Sequence, residues 1–289
     1  MSFLLLFFSV VLETMKNVFT NYFGKNIFVT SRDTLLFNVV SGIGACVFFA
    51  FSANVLITSS FSIIAALVFS LFTAMANYFT LMAFAVGNMA GTTLLMYIGG
   101  MIIPAMFGCF FYNQTPSVYQ ITGCVLMIVS LVLCIDLKKD KSMGLKWFLY
   151  SVGSFLSWGL VGVCQQVHQN SKYAFEIDEF LFWTFVFVTI LFALMKLLVK
   201  NKDNKENGYR VRSKHSIMVL LVGVFIALIY KINLYLAGVM DGVVFFPIVN
   251  GGVLLLSSLC AMVFFREKLN TKQKIGMLIG VASVCILGI

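Results

Sequence analysis

The chain has 289 residues, 61% of them hydrophobic and only 11% charged, with a mean hydropathy of +0.99 and a formal charge of +9. Ordinary globular chains are about a quarter charged, so a soluble domain is excluded. Ten spans of about 20 residues each would use up the length and leave none for a soluble catalytic unit.

The apolar runs are too long for strands and lack period-two alternation, so they predict helices. The first covers residues 2–23. Glu13 and Lys16 interrupt it and no basic stretch precedes it, so it reads as a span and not as a secretory leader. Those two residues are three apart, on one helical face, and Asn17 extends the polar stripe toward Asn21. A second helix at 34–51 holds Asn38, and a third at 61–84 holds Asn77. The fourth, 89–111, carries Tyr97, Gly99, Gly100 and Pro104; the fifth, 117–135, opens with Gln120-x-x-Gly123. A charged linker follows, with Lys138, Lys139, Asp140 and Lys141. The sixth helix, 147–168, contains Trp158 and ends among Gln165, Gln166 and Gln169, amides expected to sit wet at a surface. The seventh, 180–200, holds Trp183 and precedes a basic loop, Asn201–Lys214. The eighth, 215–237, buries Lys231 beside Asn233; the ninth, 242–265, carries Pro247, Asn250, Gly251 and Gly252; the tenth is 271–289.

This pattern is written twice. Asp33-x-x-Leu36-Phe37 returns as Asp178-x-x-Leu181-Phe182, Ser62-Ile63 as Ser216-Ile217, and Gly99-Gly100 as Gly251-Gly252. Gln120-x-x-Gly123 returns as Gln273-x-x-Gly276, and Ser130 as Ser283. The sequence therefore divides into repeats at 1–137 and 147–289, joined by a linker at 138–146. Connectors after the first, fifth, seventh and ninth helices are basic (Lys25, Arg32; the linker lysines; Lys202 to Lys214; Arg266 to Lys274). Those after the second, third, fourth and eighth carry no Lys or Arg, and the one after the sixth sets Lys172 against Glu176, Asp178 and Glu179. Every basic connector then lies on one face, expected cytoplasmic in the plasma (inner) membrane, with both termini external. The charge thus reports orientation and not nucleic-acid binding. An odd number of helices per copy inverts the second repeat, the arrangement of alternating-access carriers.

With these residues the chain resembles the drug/metabolite transporter superfamily, in its ten-helix branch of two EamA-like repeats. The local match is Phe264-Phe265-Arg266-Glu267-Lys268-Leu269-Asn270 through Gln273 and Gly276; the first copy has Gln114 where the second has Glu267. The resemblance implies an all-α integral membrane fold of two inverted five-helix repeats. It also implies a secondary transporter of amino acids and related metabolites, drugs, quaternary amines or nucleotide sugars. Related nucleotide-sugar transporters place both termini in the cytosol, whereas the charges here place them outside.

Ionisable groups at membrane depth cost about 2.5–3.5 kcal/mol each, which makes them functional candidates. The expected substrate-binding set is Glu13, Lys16, Asn17, Asn77, Tyr97, Trp158, Lys231 and Asn250, with Asn77 matched to Lys231 and Trp158 to Glu13. Glu13 is expected to meet a cation or proton, and Lys231, with Lys16, an anionic group; an internal Glu13–Lys16 or Glu13–Lys231 pair is the structural reading of the same residues. Gly99, Gly100, Gly251 and Gly252 serve packing or backbone approach, and Pro104 and Pro247, at unmatched positions, give bends that can gate. Mixed polarity favours a small zwitterion such as an amino acid. A lipid or lipid-carrier translocator is the alternative, and a membrane-embedded enzyme the weaker one, since no His/Asp/Glu constellation is present. The seven cysteines form no CxxC pair, so no metal site or disulfide framework is expected, nor any cofactor. Membrane lipids, a coupling proton or ion, and a second copy of the chain are the remaining partners left open.

Overall fold

A computed structural model describes residues 2–26, 31–87, 89–134, 144–198, 213–265 and 270–288. The described residues form ten α-helices: α1 (Ser2–Asn26), α2 (Ser31–Ala50), α3 (Ser60–Val86), α4 (Met89–Phe111), α5 (Val118–Cys134), α6 (Leu145–Gln169), α7 (Ile177–Leu198), α8 (Ser213–Val239), α9 (Gly242–Phe265) and α10 (Thr271–Leu287). Eight are long and apolar enough to cross a membrane. The basic stretches at 135–143, 199–212 and 266–269, which include Glu267, lie outside the described residues.

The Gln-x-x-Gly repeat now has a physical meaning. Gln273 and Asn270 form a reciprocal capping box at the start of α10, each backbone N–H donating to the other's side chain at 2.9 Å. Ser117 and Gln120 make the same pair at the start of α5, at 3.0 and 3.2 Å. One turn on, the glycines remove a side chain where α5 and α10 meet. A Cβ on Gly123 would lie 2.7 Å from Leu287, and one on Gly276 2.8 Å from Leu133. Ser130 Oγ donates to Gly276 O and Ser283 Oγ to Gly123 O, both at 2.7 Å. One bond is thus made twice with the halves exchanged, the mark of a pseudo-two-fold between inverted repeats.

The other helices obey the same exchange. α2 packs against α7 and α8, α7 against α2 and α3, and α4 against α9. α6 lies between α3 and α4, while its counterpart α1 lies against α8 and α9. Register follows from the contacts: Gly99 meets Phe155 of α6, and Gly252 meets Val10 of α1. The equivalent glycines are therefore Gly99 and Gly252, one residue away from the match expected from the sequence, and Tyr97 answers Asn250. On α3, Thr80 bonds Ser154 of α6 at 2.7 Å; on α8, Asn233 takes a hydrogen bond from Ser9 of α1. Asn77 consequently answers Tyr230, not Lys231.

Both prolines inside helices, Pro104 and Pro247, leave a carbonyl without its helical donor. For Pro104 this is Gly100 O, which accepts from Asn250 Nδ2 at 3.1 Å. For Pro247 it is Val243 O, which accepts from Cys124 Sγ at 3.4 Å. Each freed carbonyl thus accepts from a side chain of another helix. Two apolar clusters flank the bundle centre, one around Met101, Met127 and Phe245, the other around Phe49, Phe69 and Phe180.

Candidate functional site

Between the clusters lies a cavity of about 360 Å³, lined from α1 to α4 and α6 to α9 but not from α5 or α10. Its volume falls in the range of small-molecule sites. Of the expected binding set, Glu13, Lys16, Asn17, Asn77, Tyr97, Trp158 and Asn250 line it, as do Gly100 and Asn38. Their helical spacing explains the convergence: Glu13, Lys16 and Asn17 share one face of α1, and Trp158, Val161, Gly162 and Gln165 the matching face of α6.

Lys16 Nζ pairs with Glu13 Oε1 at 3.2 Å, and about a quarter of each side chain is exposed within the cavity. Tyr97 and Tyr230 line the same cavity as Glu13 and Asn17. Opposite, the Trp158 indole N–H donates to Thr80 Oγ1 at 3.3 Å, so the ring stands as a fixed wall. Asn77 donates to Thr73 O at 2.8 Å, and Asn250 donates to Phe246 O as well as to Gly100 O. The cavity therefore has one charged pole, on α1, and an uncharged aromatic wall on α6.

Lys231 is not part of this lining. Its ammonium pairs with Asp178 at 2.7 Å, in the first turn of α7, and its side chain is 40% exposed. The expectation that Lys231 faces the site beside Glu13 is corrected: a one-residue slip is a turn of about 100° on a helix, and it is Tyr230 that faces inward. Sequence reasoning missed Tyr230 for this reason, although it adjoins the residue singled out. Trp183 is also outside the lining, stacked on Phe187. Pro104 and Pro247 are not lining residues either, and Gly99, Gly251 and Gly252 sit in helix contacts.

Of the glutamines closing α6, expected to be wet, Gln169 is half-buried but Gln165 and Gln166 are buried. Gln165 is 8% exposed and Gln166 1%. Gln166 donates to Pro104 O at 3.0 Å, and Gln114 accepts from Gly242 N at 3.0 Å. At the same end Ser59, the N-cap of α3, donates to Glu176 at 2.6 Å, and Ser62 bonds His168 at 3.2 Å. Burial alone would push Glu176 up, but hydrogen bonds from Ser59 and Ser62 and the nearby His168 hold it below the ordinary carboxylate range. This end is thus laced by side-chain bonds between connectors and helix ends.

Comparison with known proteins adds three findings. Residues 145–289 match the family model described as the EamA-like transporter family. A solved structure titled only "Crystal structure of protein" is similar over 100% of this chain and 98% of its own, with a TM-score of 0.76 at 14% identity, a likeness of fold alone. No curated protein matches.

Proposed function

Since the chain belongs to the EamA-like transporter family, and so is a multi-pass membrane transporter of small substrates, we propose that it carries a small zwitterion of the amino-acid type by alternating access. The observation that supports this reading is the Glu13–Lys16 pair at 3.2 Å in a cavity lined from both halves. A substrate with a single charge would leave one member of the pair buried without a partner, which is costly. A zwitterion offers its ammonium to Glu13 and its carboxylate to Lys16, so the pair opens with no charge left over. A coupling proton or ion, where the cycle uses one, meets the path at Glu13.

The two repeats, 1–137 and 147–289, are the units that rock about this cavity. The connector charges support a plasma-membrane setting with the basic face cytoplasmic and both termini outside. The test is thermal unfolding of the purified protein with amino acids, amines and nucleotide sugars, followed by exchange in proteoliposomes. A ligand of the folded state raises Tm by mass action. Amino acids are expected to raise it in the natural protein and not in Glu13→Gln, whose own Tm stays within a few degrees. Stabilisation by nucleotide sugars or amines alone would overturn the zwitterion reading.

A further inference from the structure

The cavity carries more hydrogen-bonding groups than a zwitterionic head uses. Three of its six amides already have protein partners: Asn77 on Thr73 O, Asn233 with Ser9, and Asn250 on Gly100 O and Phe246 O. Gln165 differs. It lines the cavity, is 92% buried by its 8% exposure, and makes no side-chain hydrogen bond among the described residues. Asn17 and Asn38 also line the cavity, but each is only half-buried.

Position sharpens the contrast. Gln165 lies seven residues beyond Trp158 on the same face of α6, hence two turns or about 10 Å along the axis. Trp158 is the counterpart of Glu13, and α1 runs opposite to α6, so Lys16 and Asn17 extend one way from that level and Gln165 the other. The charged pole and the free amide therefore stand at opposite ends of one cavity. A buried primary amide holds two donors and an acceptor, and leaving them unmade disfavours the bound state of any ligand that covers them with hydrocarbon.

We propose that Gln165 forms an uncharged subsite for a carboxamide, so that the substrate is a zwitterion bearing a neutral amide side chain and not a hydrocarbon one. A second carboxamide matches Gln165 reciprocally, donating an N–H and accepting one through two coplanar atoms, which a hydroxyl must do through a single oxygen and an apolar side chain does not do. The far end of the cavity thus selects among the zwitterions that Glu13 and Lys16 admit. This rests on the proposed reading of the charged pole.

The experiment is thermal unfolding of the natural protein and of Gln165→Leu and Gln165→Asn, each titrated with glutamine, asparagine, leucine and glutamate. Glutamine or asparagine is expected to bind the natural protein about tenfold more tightly than leucine. That preference is lost or reversed in Gln165→Leu and kept in part in Gln165→Asn, with leucine affinity equal or higher in Gln165→Leu. Equal affinity for leucine and glutamine in the natural protein, or an amide preference that survives in Gln165→Leu, overturns the subsite and leaves the charged pole standing. Failure of every zwitterion to shift Tm overturns both. Because the affinity ratio is read within each variant, a general loss of stability does not mimic the result.

Discussion

α1 and α6 occupy equivalent places in the two halves, yet they pack differently. α6 brings Gly153, Gly159 and Gly162 to its contacts, and at each a Cβ would fall within 3.0 Å of a neighbour. The equivalent α1 residues are Phe8, Thr14 and Asn17. Against α4, a Cβ on Gly99 would meet the carbonyl oxygen of Phe155 at 2.2 Å, so backbone lies on backbone. Against α1, a Cβ on Gly252 would meet only the methyls of Val10, at 3.3 and 3.4 Å. One helix is wedged into the bundle by its glycines; the other stands off and holds the charged pair where its twin holds Trp158 and Val161. Symmetric architecture thus carries an asymmetric site: the tight half supplies a rigid wall, and the loose half the polar groups. Close backbone approach is what small residues give in a membrane, and polar side chains occupy the helix where that approach is not needed.

The sharpest way to break this comparison is to put the same methyl on both sides. Gly99→Ala drives a Cβ into a backbone oxygen that cannot swing aside, and is expected to cost about 3 kcal/mol, near the upper end for overpacking. Gly252→Ala asks the Val10 methyls to yield by only a few tenths of an ångström and gains helix propensity, so its net effect is expected within about 1 kcal/mol of zero. Thermal or denaturant unfolding in detergent measures both. Similar losses in the two variants would mean that α1 and α6 are equally close-packed.

A smaller effect probes the joint between the halves. Asn250→Leu keeps the volume but removes the donor that replaces the missing Pro104 N–H on Gly100 O. A buried carbonyl left without a partner costs about 2 kcal/mol. The loss should be specific to position: it is expected to vanish in Asn250→Leu combined with Pro104→Ala, where the backbone recovers its own donor. Retention of the full loss in the double variant would assign Asn250 to other contacts.

Much of this asymmetry was legible in the sequence, and the rest failed for definable reasons. Ten helices, their inverted pairing and the Glu13–Trp158 match follow from hydropathy, connector charge and repeat order. The starts of α2 and α7 were set late, because Asp33, Asp178 and Glu179 read as connector charges although acids are favoured in a first helical turn. The rotation of α8 was not legible. It offers no glycine landmark against α1, and only the Ser9–Asn233 bond, set beside Ser154–Thr80, fixes its register. The fate of the glutamines was hidden too, since burial at the end of α6 depends on Gln114 and Pro104 from another part of the chain.

The smallest expected effect is the most informative about the site. Lys231 lies deep in its span by sequence, and membrane depth alone argues for function. Its side chain instead reaches both carboxylate oxygens of Asp178, at 2.7 and 2.8 Å, and remains 40% exposed. Exposure discounts the pair to under about 1 kcal/mol, and Asp178 keeps the favourable field of the α7 N-terminus when the lysine is gone. Lys231→Met is therefore expected to unfold within a few degrees of the natural protein and to exchange substrate at nearly its rate, whereas Lys16→Met, equally conservative in shape, removes one pole of the cavity and loses exchange. The two variants delete the same charge from pseudo-symmetric halves, so the comparison isolates position from chemistry. A well-folded Lys231→Met that no longer transports would place the path along α7 and α8 and return the site to where one residue of register had put it.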